Sequence, residues 1–339
     1  LVHVFRKRVG ILPAIIVLIF AILGNIGMQE SCIPFYPIAA SIMLLAGYDR
    51  VAAAGSGILG VAAGFGGGLL NIFNVGLSQQ ILELPLFSGF SFRLFASIVF
   101  YAVAALYLVW YCQRIKKDPK KSVVAEEYIQ QLSEKEEREA IPMTWQRGVA
   151  LMGLGVALFM QGYGPLKLDW GISQITAIYV LLAIILSVVF KINPNKACDI
   201  YMEGAKKILP AAFILAVAGG VMVLMTNAKI IDTLIHSLVL TFEGKSQFGI
   251  MLILFLSIIA FEFVVSSGSG KAMLLMPILG PFAQIIGMSR QILVFIFQYA
   301  DGATQYIWPT SGALLAGLGL CKVRYQDWVK FAWRPILFI

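Results

Sequence analysis

Charged residues are scarce in this chain: they make up 13% of its 339 residues, whereas soluble domains carry about 25%. Apolar residues account for 59% of the sequence, and the mean hydropathy is +0.85. A soluble core of this size has no room for so much apolar surface, so the sequence predicts a protein embedded in lipid. The composition therefore excludes an ordinary soluble globular domain.

Histidine and cysteine are also rare, which limits the chemistry that the chain can support. The two histidines, His3 and His236, share no motif, and the four cysteines lie far apart without a CxxC spacing. The cysteines therefore predict packing residues, and neither a metal site nor a disulfide framework. A membrane enzyme would need a nucleophile with a base, or metal ligands. We expect no catalytic residues, no enzymatic activity and no bound cofactor.

The positive charge has a pattern of its own. The formal net charge is +8, and the basic residues cluster at the ends of apolar runs, which is the positive-inside pattern of a multi-pass protein in the cytoplasmic (inner) membrane. We therefore expect the lipid bilayer as partner and no nucleic acid. The chain begins inside a basic segment and stops inside an apolar run, so we expect further membrane segments on both sides of it.

Two stretches combine a pair of short apolar arms with a polar tip, which is typical of a re-entrant helical hairpin. Their arms and tips are, in chain order, 9–23, 24–31 and 32–46, then 248–265, 266–270 and 272–287. Each hairpin precedes an apolar helix with a polar interruption, at Gly64–Asn74 and at Asp301–Gly312. Irregular backbone at membrane depth is tolerated where it is buried or lines a cavity. A kinked pair of full helices is the alternative for the first hairpin.

The two hairpin-plus-broken-helix units match each other. Three residue pairs recur 240 positions apart: Pro37 and Pro277, Gly47 and Gly287, and Arg50 and Arg290. A span at 90–112 precedes the hydrophilic linker, and three further spans at about 147–163, 173–190 and 208–226 follow it. The odd number of intervening spans gives the two units opposite orientations, which is an inverted-topology repeat.

The predicted fold class is an all-α polytopic membrane protein with inverted repeats. Its parts are a first repeat at 1–112, a cytoplasmic linker at 113–147 and a second repeat at 148–339. We interpret the linker as a connector, with partner binding as the alternative, and the 191–207 stretch as a cytoplasmic loop. The segment 228–240, which contains His236, is expected to lie at the membrane interface.

Small polar residues at the tips and breaks are the candidate substrate ligands. Hydroxyls and exposed N–H groups of half-helices can bind a carboxylate, although close helix packing is the alternative for a Ser-Gly pattern. These candidates are Ser266, Ser267, Gly268, Ser269, Asn71, Asn74, Thr310 and Ser311.

Two acids lie beside loosened backbone and are the candidate ion-coupling residues: Glu30 at the first tip and Asp301 at the second break. Free carbonyls beside such a carboxylate can hold Na⁺, or the carboxylate can carry H⁺. The alternative is that each acid caps a helix or pairs with an arginine.

Four further charged residues are expected at membrane depth or at its edge. Glu262 and Glu83 are further candidates for a functional acid. The alternatives are that Glu262 pairs with a lysine, and that Glu83 lies at the outer interface or pairs with Arg93. Lys271 follows the second tip, where it either neutralises a substrate carboxylate or pairs with Glu30 or Asp301.

Several of these motifs also carry a family resemblance. The stretches Ser266–Gly270, Ser289–Gln291 and Ile307–Ser311, together with Asp301-Gly302, closely resemble the YfcC-like transporters. This group is similar to the basic amino-acid antiporters and to the anaerobic C4-dicarboxylate carriers. The resemblance implies the ion-transporter fold, in which a mobile transport domain moves as an elevator against a scaffold. Gly27 to Glu30 and the Asn71 break also look like this family.

The predicted function is secondary active transport of a small amino acid or carboxylate, coupled to Na⁺ or H⁺ or run by exchange. Elevator scaffolds often dimerise, so a homodimer is an open expectation. A channel is one alternative, although we find no continuous polar stripe or symmetric filter. A transport-inactive membrane sensor is another, because Ser31 stands where the family usually has a second acid and Ile72 where it usually has proline.

Overall fold

The computed structural model describes residues 9–133, 144–168, 170, 172–230, 233, 237 and 245–337. Every regular element within these ranges is helical, which confirms the all-helical fold class. The chain divides into two compact units, one comprising Leu1–Glu134 and Pro210–Ile339 and the other Lys135–Leu209. Among the described residues, three helical stretches are long and apolar enough to cross a membrane: Arg50–Ile81, Phe90–Lys117 and Gln247–Val264.

The first half of the larger unit contains the predicted pair of short helices around a polar tip. Its α-helices are α1 (Leu12–Asn25), α2 (Tyr36–Leu45), α3 (Arg50–Gly67), α4 (Leu77–Ile81), α5 (Phe90–Lys117) and α6 (Ala125–Ser133). A 3₁₀ helix at Glu30–Phe35 precedes α2, and a π-helical turn at Ile72–Gly76 precedes α4. The second half contains α10 (Gln247–Val264), α11 (Gly268–Ile285), α12 (Arg290–Thr304), α13 (Gly312–Leu320) and α14 (Tyr325–Ile336).

The break in the first long helix begins later than the sequence predicts. We expected the helix to end at Gly64, but α3 continues for almost another turn and ends where Gly68 adopts a φ of 58°. A Cβ atom at Gly64 would lie 2.0 Å from the carbonyl oxygen of Ala21 on α1. A Cβ atom at Gly302 of α12 would lie 2.2 Å from the Cα of Gly66. Most of these glycines therefore allow close packing of helices, and the irregular backbone is confined to 68–71.

The second hairpin and its broken helix also differ from the predicted boundaries. Its tip is shorter than 266–270, because Ser267 accepts a hydrogen bond from the backbone N–H of Gly270 at 3.2 Å and so starts α11 at Gly268. Its broken helix continues one turn past Asp301 before the break at 305–311. Asp301 therefore projects from an intact helix, close to its carboxyl end.

The repeated residues have matching local structures. Gly47 follows α2 with a φ of 80°, and Gly287 follows α11 with a φ of 71°. Asp49 and Ser289 then cap α3 and α12, each accepting a hydrogen bond from a backbone N–H of the first turn. This agreement supports a repeat. The opposite orientation of the two hairpin-plus-broken-helix repeats in a membrane stays a prediction.

The linker helix α6 is docked onto the turn between α2 and α3. The hydroxyl of Tyr128 donates to the carbonyl oxygen of Gly47 at 2.9 Å, and Glu127 pairs with Arg50 at 2.6 Å. The carboxylate of Asp49 is buried beneath, where hydroxyls of α5 and of the linker donate to it. The described part of the linker is thus packed against the helices, which a plain connector does not require.

The remaining helices are α7 (Trp145–Lys167), α8 (Ile172–Val189) and α9 (Pro194–Asn227). Helices are present at all three predicted spans, and their crossing of a membrane stays a prediction. The predicted loop at 191–207 is wrong, because α9 already starts at Pro194. Lys196, Lys206 and Lys207 lie within this helix, which continues through Gly204 without a break. Most of the predicted interfacial segment 228–240, including His236, lies outside the described residues.

The larger unit has two hydrophobic cores. One is formed mainly by α1, α2, α3, α5 and α14, and the other by α4, α10, α11 and α12. Large apolar side chains also point outward, such as Phe95 and Leu106 of α5, which are 66% and 70% exposed. Outward apolar side chains on a long helix are the expected surface towards lipid. The polar side chains described next lie where α12 meets both α3 and α11.

Candidate functional site

Lys271 is the centre of a buried charge cluster. Its Nζ contacts the carboxylates of Glu262 on α10 and of Asp301 on α12, and all three side chains are 0% exposed. Lys271 lies in the first turn of α11, directly after the second tip. One ammonium group therefore joins both arms of the second hairpin to the helix that follows them. We call Glu262, Lys271, Asp301 and Asn74 the Lys271 cluster.

Asn74 brings the first break into the same cluster. Its Nδ2 donates to Oδ2 of Asp301, although the two residues are 227 positions apart. The side-chain oxygen of Asn71 accepts hydrogen bonds from the backbone N–H groups of Phe73 and Asn74, both at 3.1 Å. This cap fixes the start of the π-helical turn and thereby orients Asn74. The two predicted breaks thus meet at a single buried carboxylate.

Glycine at the second tip makes this contact sterically feasible. A Cβ atom at Gly268 would lie 2.2 Å from Oδ1 of Asn74, which is closer than real Cβ atoms approach an oxygen. The tip therefore packs directly on the first break. Gln305 ties the second break to the same tip, because its Nε2 donates to the carbonyl oxygen of Ser266 at 3.0 Å.

The cluster carries a formal surplus of one negative charge when its two carboxylates and one ammonium are ionised. Asn74 Oδ1 and Glu262 Oε1 of the cluster, and Oε1 of the neighbouring Gln305, are buried acceptors with no hydrogen-bond partner among the described residues. Buried polar groups normally have partners, and an uncompensated buried charge is unfavourable. The arrangement is therefore suited to receiving a proton, a cation or the ammonium group of a solute.

The other predicted ligands lie around this cluster with different tasks. Ser267 and Ser311 cap α11 and α13, with Ser311 accepting from the N–H of Leu314 at 3.3 Å. The hydroxyl of Thr310 is buried without a partner among the described residues, and Ser269 is half-buried on the first turn of α11. Substrate binding by these hydroxyls stays a prediction.

Glu30 is not part of the Lys271 cluster. It begins the 3₁₀ helix of the first hairpin, its side chain is exposed, and it forms no ion pair with any residue that the structure describes. Its proposed role in ion coupling stays a prediction. Of the two partners that the sequence left open for Lys271, the structure selects Asp301.

One other predicted pairing is wrong. Glu83 does not pair with Arg93: it contacts Arg290 at 3.6 Å, and Arg93 donates to the carbonyl oxygen of Ser88 at 2.7 Å. Residue 83 has a φ of 55° in the connection between α4 and α5, and its side chain reaches the first residue of α12. For Glu262 the alternative of a lysine partner is confirmed, and this partner is Lys271 at the centre of the site.

The central place of Glu262 has a signal in the sequence that we did not use. Ile250, Leu254 and Ile258 are buried at four-residue intervals on α10, and Glu262 continues the same row. Residues four apart lie on one face of a helix. An acid at the end of a buried row needs a buried counter-charge, which Lys271 provides.

A helical membrane protein in which two helix breaks meet at a buried charge cluster has the features of a solute carrier. The chain belongs to the C4-dicarboxylate anaerobic carrier family, whose model matches residues 3–339. This confirms the resemblance found in the sequence. No solved structure matches the chain.

Two curated relatives are similar over most of the chain. The chain is 28% identical over 340 residues to the "Putative basic amino acid antiporter YfcC" of Escherichia coli K12, which covers 97% of this chain and 67% of that protein. It is 26% identical over 309 residues to an uncharacterized protein of Haemophilus influenzae, covering 90% of this chain and 60% of that protein. The chain thus spans about two thirds of the length of these relatives.

Proposed function

We propose that this chain forms the transport core of a secondary active transporter, which moves a small amino acid or carboxylate across the cytoplasmic membrane. The observation that carries the proposal is the Lys271 cluster. An ionisable group at membrane depth costs at least about 2.5 kcal/mol on insertion scales, and such groups usually mark a solute pathway. Here three of them meet where two broken helices converge, as at the binding sites of secondary transporters.

The family and the first relative are both named for small charged solutes. The carrier family is named for C4-dicarboxylates, and the Escherichia coli relative for basic amino acids. A site with two carboxylates and one ammonium can interact with charges of either sign. The proposal therefore keeps both classes, with Asn71, Asn74, Thr310 and the serines of the second tip as further ligands.

The coupling ion in this proposal is Na⁺ or H⁺, with exchange as the third possibility. Oδ1 of Asp301 faces the ammonium of Lys271, and Oδ2 accepts from Asn74. The free acceptors of the cluster, at Asn74 and Glu262, can take a proton, a Na⁺ ion or a cationic solute. Glu30 keeps its proposed role as a second coupling residue, and elevator motion and a homodimer are parts of the same proposal.

Uptake into proteoliposomes tests the proposal. The purified full-length protein should accumulate or exchange labelled lysine, arginine, succinate or fumarate under a Na⁺ gradient, a pH gradient or internal preloading. We expect Asp301→Asn to reduce this uptake at least about tenfold, a loss of about 1.4 kcal/mol or more. Asp118→Asn is the matched control, because Asp118 lies on the solvated linker and pairs with Lys121. Absence of flux under all conditions, or steady single-channel currents, would remove the proposal.

A further inference from the structure

A second buried cation lies near the start of α5, outside the Lys271 cluster. The guanidinium of Arg93 is 0% exposed, and one of its nitrogens donates to the carbonyl oxygen of Ser88 at 2.7 Å. Its Nε and Nη2 have no hydrogen-bond partner, and Arg93 forms no ion pair within the described ranges. The positive charge of Arg93 is thus without a counter-charge in this part of the chain.

The surroundings of Arg93 supply further free donors. The Cζ of Arg93 lies 6.0 Å from the centre of the Phe295 ring, on the face of α12 that also carries Gln291 and Tyr299. Within the described part of the chain, Nε2 of Gln291 and the hydroxyl of Tyr299 are buried without partners, whereas Oε1 of Gln291 already accepts from the hydroxyl of Ser88 at 2.8 Å. The Lys271 cluster has free acceptors, whereas the surroundings of Arg93 have free donors.

Free donors around a buried guanidinium are complementary to an anion. Burying a charge without a partner is costly, so such a site is expected to gain a counter-ion. The N–H groups of a guanidinium that remain free match the two oxygens of a carboxylate. A lipid phosphate offers similar chemistry, but the side chain of Arg93 is fully enclosed by protein and not open to the bilayer.

We infer that Arg93 is a carboxylate-binding residue, at a position distinct from the Lys271 cluster, and that it binds the carboxylate of the transported solute. The identity of this ligand rests on the proposed function. Phe295, which faces Arg93, and Asp301 are six residues apart on α12, which is about 9 Å along a helix. Ser97, one turn after Arg93, packs against Gly67 of α3 close to the contact between Gly66 and Gly302. The two sites therefore lie along the same packed helices.

Thermal unfolding of the purified full-length protein in detergent tests this site without requiring transport. The probe is acetate, which replaces chloride at constant ionic strength. A ligand present at about ten times its Kd should raise the Tm of the wild type by about 2 °C or more. We expect Arg93→Gln to abolish this shift, and Arg93→Lys to reduce it because lysine lacks the planar fork. In chloride, Arg93→Gln should be at least as stable as the wild type, since it removes an uncompensated charge.

Arg290→Gln is the matched control. Arg290 contacts the same connection between α4 and α5, but it donates to the carbonyl oxygen of Leu82 at 2.8 Å and pairs with Glu83. Its substitution should preserve the acetate shift and lower the Tm in chloride. This pattern separates an anion site from a general effect of arginine loss.

Three outcomes would overturn the inference. They are no acetate shift in the wild type, an equal shift in Arg93→Gln, and a shift with phosphate but not with acetate, which would assign the site to a phosphate or lipid headgroup. If Arg93→Gln does not fold, an undiminished shift in Arg93→Lys overturns it instead. Uptake without an acetate shift would refute only the carboxylate site. An acetate shift without any uptake would support the site and refute the proposed transport.

Discussion

Replacing Lys271 with methionine removes the only cation that the structure places in the Lys271 cluster. Methionine has a similar length and no charge, so Glu262 and Asp301 would face each other without an ammonium group. The formal charge of the cluster would change from −1 to −2. Removing one partner of a buried ion pair costs about 3–5 kcal/mol, because it leaves a buried charge uncompensated. We expect Lys271→Met to lose about this much free energy of unfolding, and to lose transport.

The same reasoning predicts a rescue. Glu262→Gln changes the formal charge from −1 to 0 and leaves the pair between Lys271 and Asp301 intact, so its cost should stay below about 1 kcal/mol. In the double variant the charge returns to −1. The double variant should therefore be more stable than Lys271→Met alone, with a coupling free energy of about 1–3 kcal/mol.

Equilibrium unfolding in mixed micelles, followed by tryptophan fluorescence, measures all four proteins of this cycle. Lys330→Met is the control, because Lys330 is an exposed lysine on α14 and its loss should change stability by less than about 0.5 kcal/mol. The reasoning is refuted if Lys271→Met is as stable as the wild type. It is also refuted if the two single effects add without coupling, since the charges would then not interact.

Three further predictions concern helix packing and the docking of the linker. Gly302→Ala places a Cβ atom 2.2 Å from the facing backbone, so it should lower the free energy of unfolding, measured with denaturant, by about 1–3 kcal/mol. Gly319→Ala is the control, because its Cβ atom meets nothing within 4 Å. Burial raises the pKa of the Asp49 carboxyl and outweighs the hydrogen bonds that lower it. The folded protein therefore keeps a proton that the unfolded chain releases above a pH of about 4. The free energy of unfolding should fall as the pH rises from there towards the raised pKa of the folded state. Asp49→Asn should flatten this fall in Tm measured across pH, and a slope unchanged from the wild type would contradict it. Tyr128→Phe loses the 2.9 Å hydrogen bond to the carbonyl oxygen of Gly47, so it should lower the free energy of unfolding by about 1 kcal/mol. It should also speed tryptic cleavage of the linker. An unchanged cleavage rate would contradict the docking of α6.

The helix pairs and the breaks could be located from the sequence, because polar and glycine residues inside a long apolar run are unfavourable in lipid unless the backbone there is buried or lines a cavity. The boundaries were predicted less well, since a glycine can either end a helix or let another helix approach. Gly64 lets α1 approach, and Gly68 ends α3. Only the neighbouring backbone, which is distant in sequence, distinguishes the two uses of glycine.

The candidate site was predicted in part for a similar reason. Asp301 and Asn74 were identified because each lies within a predicted break, although in the structure Asp301 is on the last turn of α12 and Asn74 is on the π-helical turn that follows the first break. The pairing of Lys271 with Glu262 depends on which helices meet. The same holds for Glu83, which pairs with Arg290 and not with Arg93. Spacing along the chain does not contain this information, although the buried row that ends at Glu262 limits the choice.

The docked linker helix has a mechanical consequence. Because α6 bonds to the turn between α2 and α3, any displacement of that turn must either carry α6 with it or rupture the bonds of Tyr128 and Glu127. In the first case α6 would move together with that turn, and in the second case its bonds would break and re-form in each cycle. A spin label on an exposed residue of α6 would thus report the conformational cycle from the aqueous side of the protein.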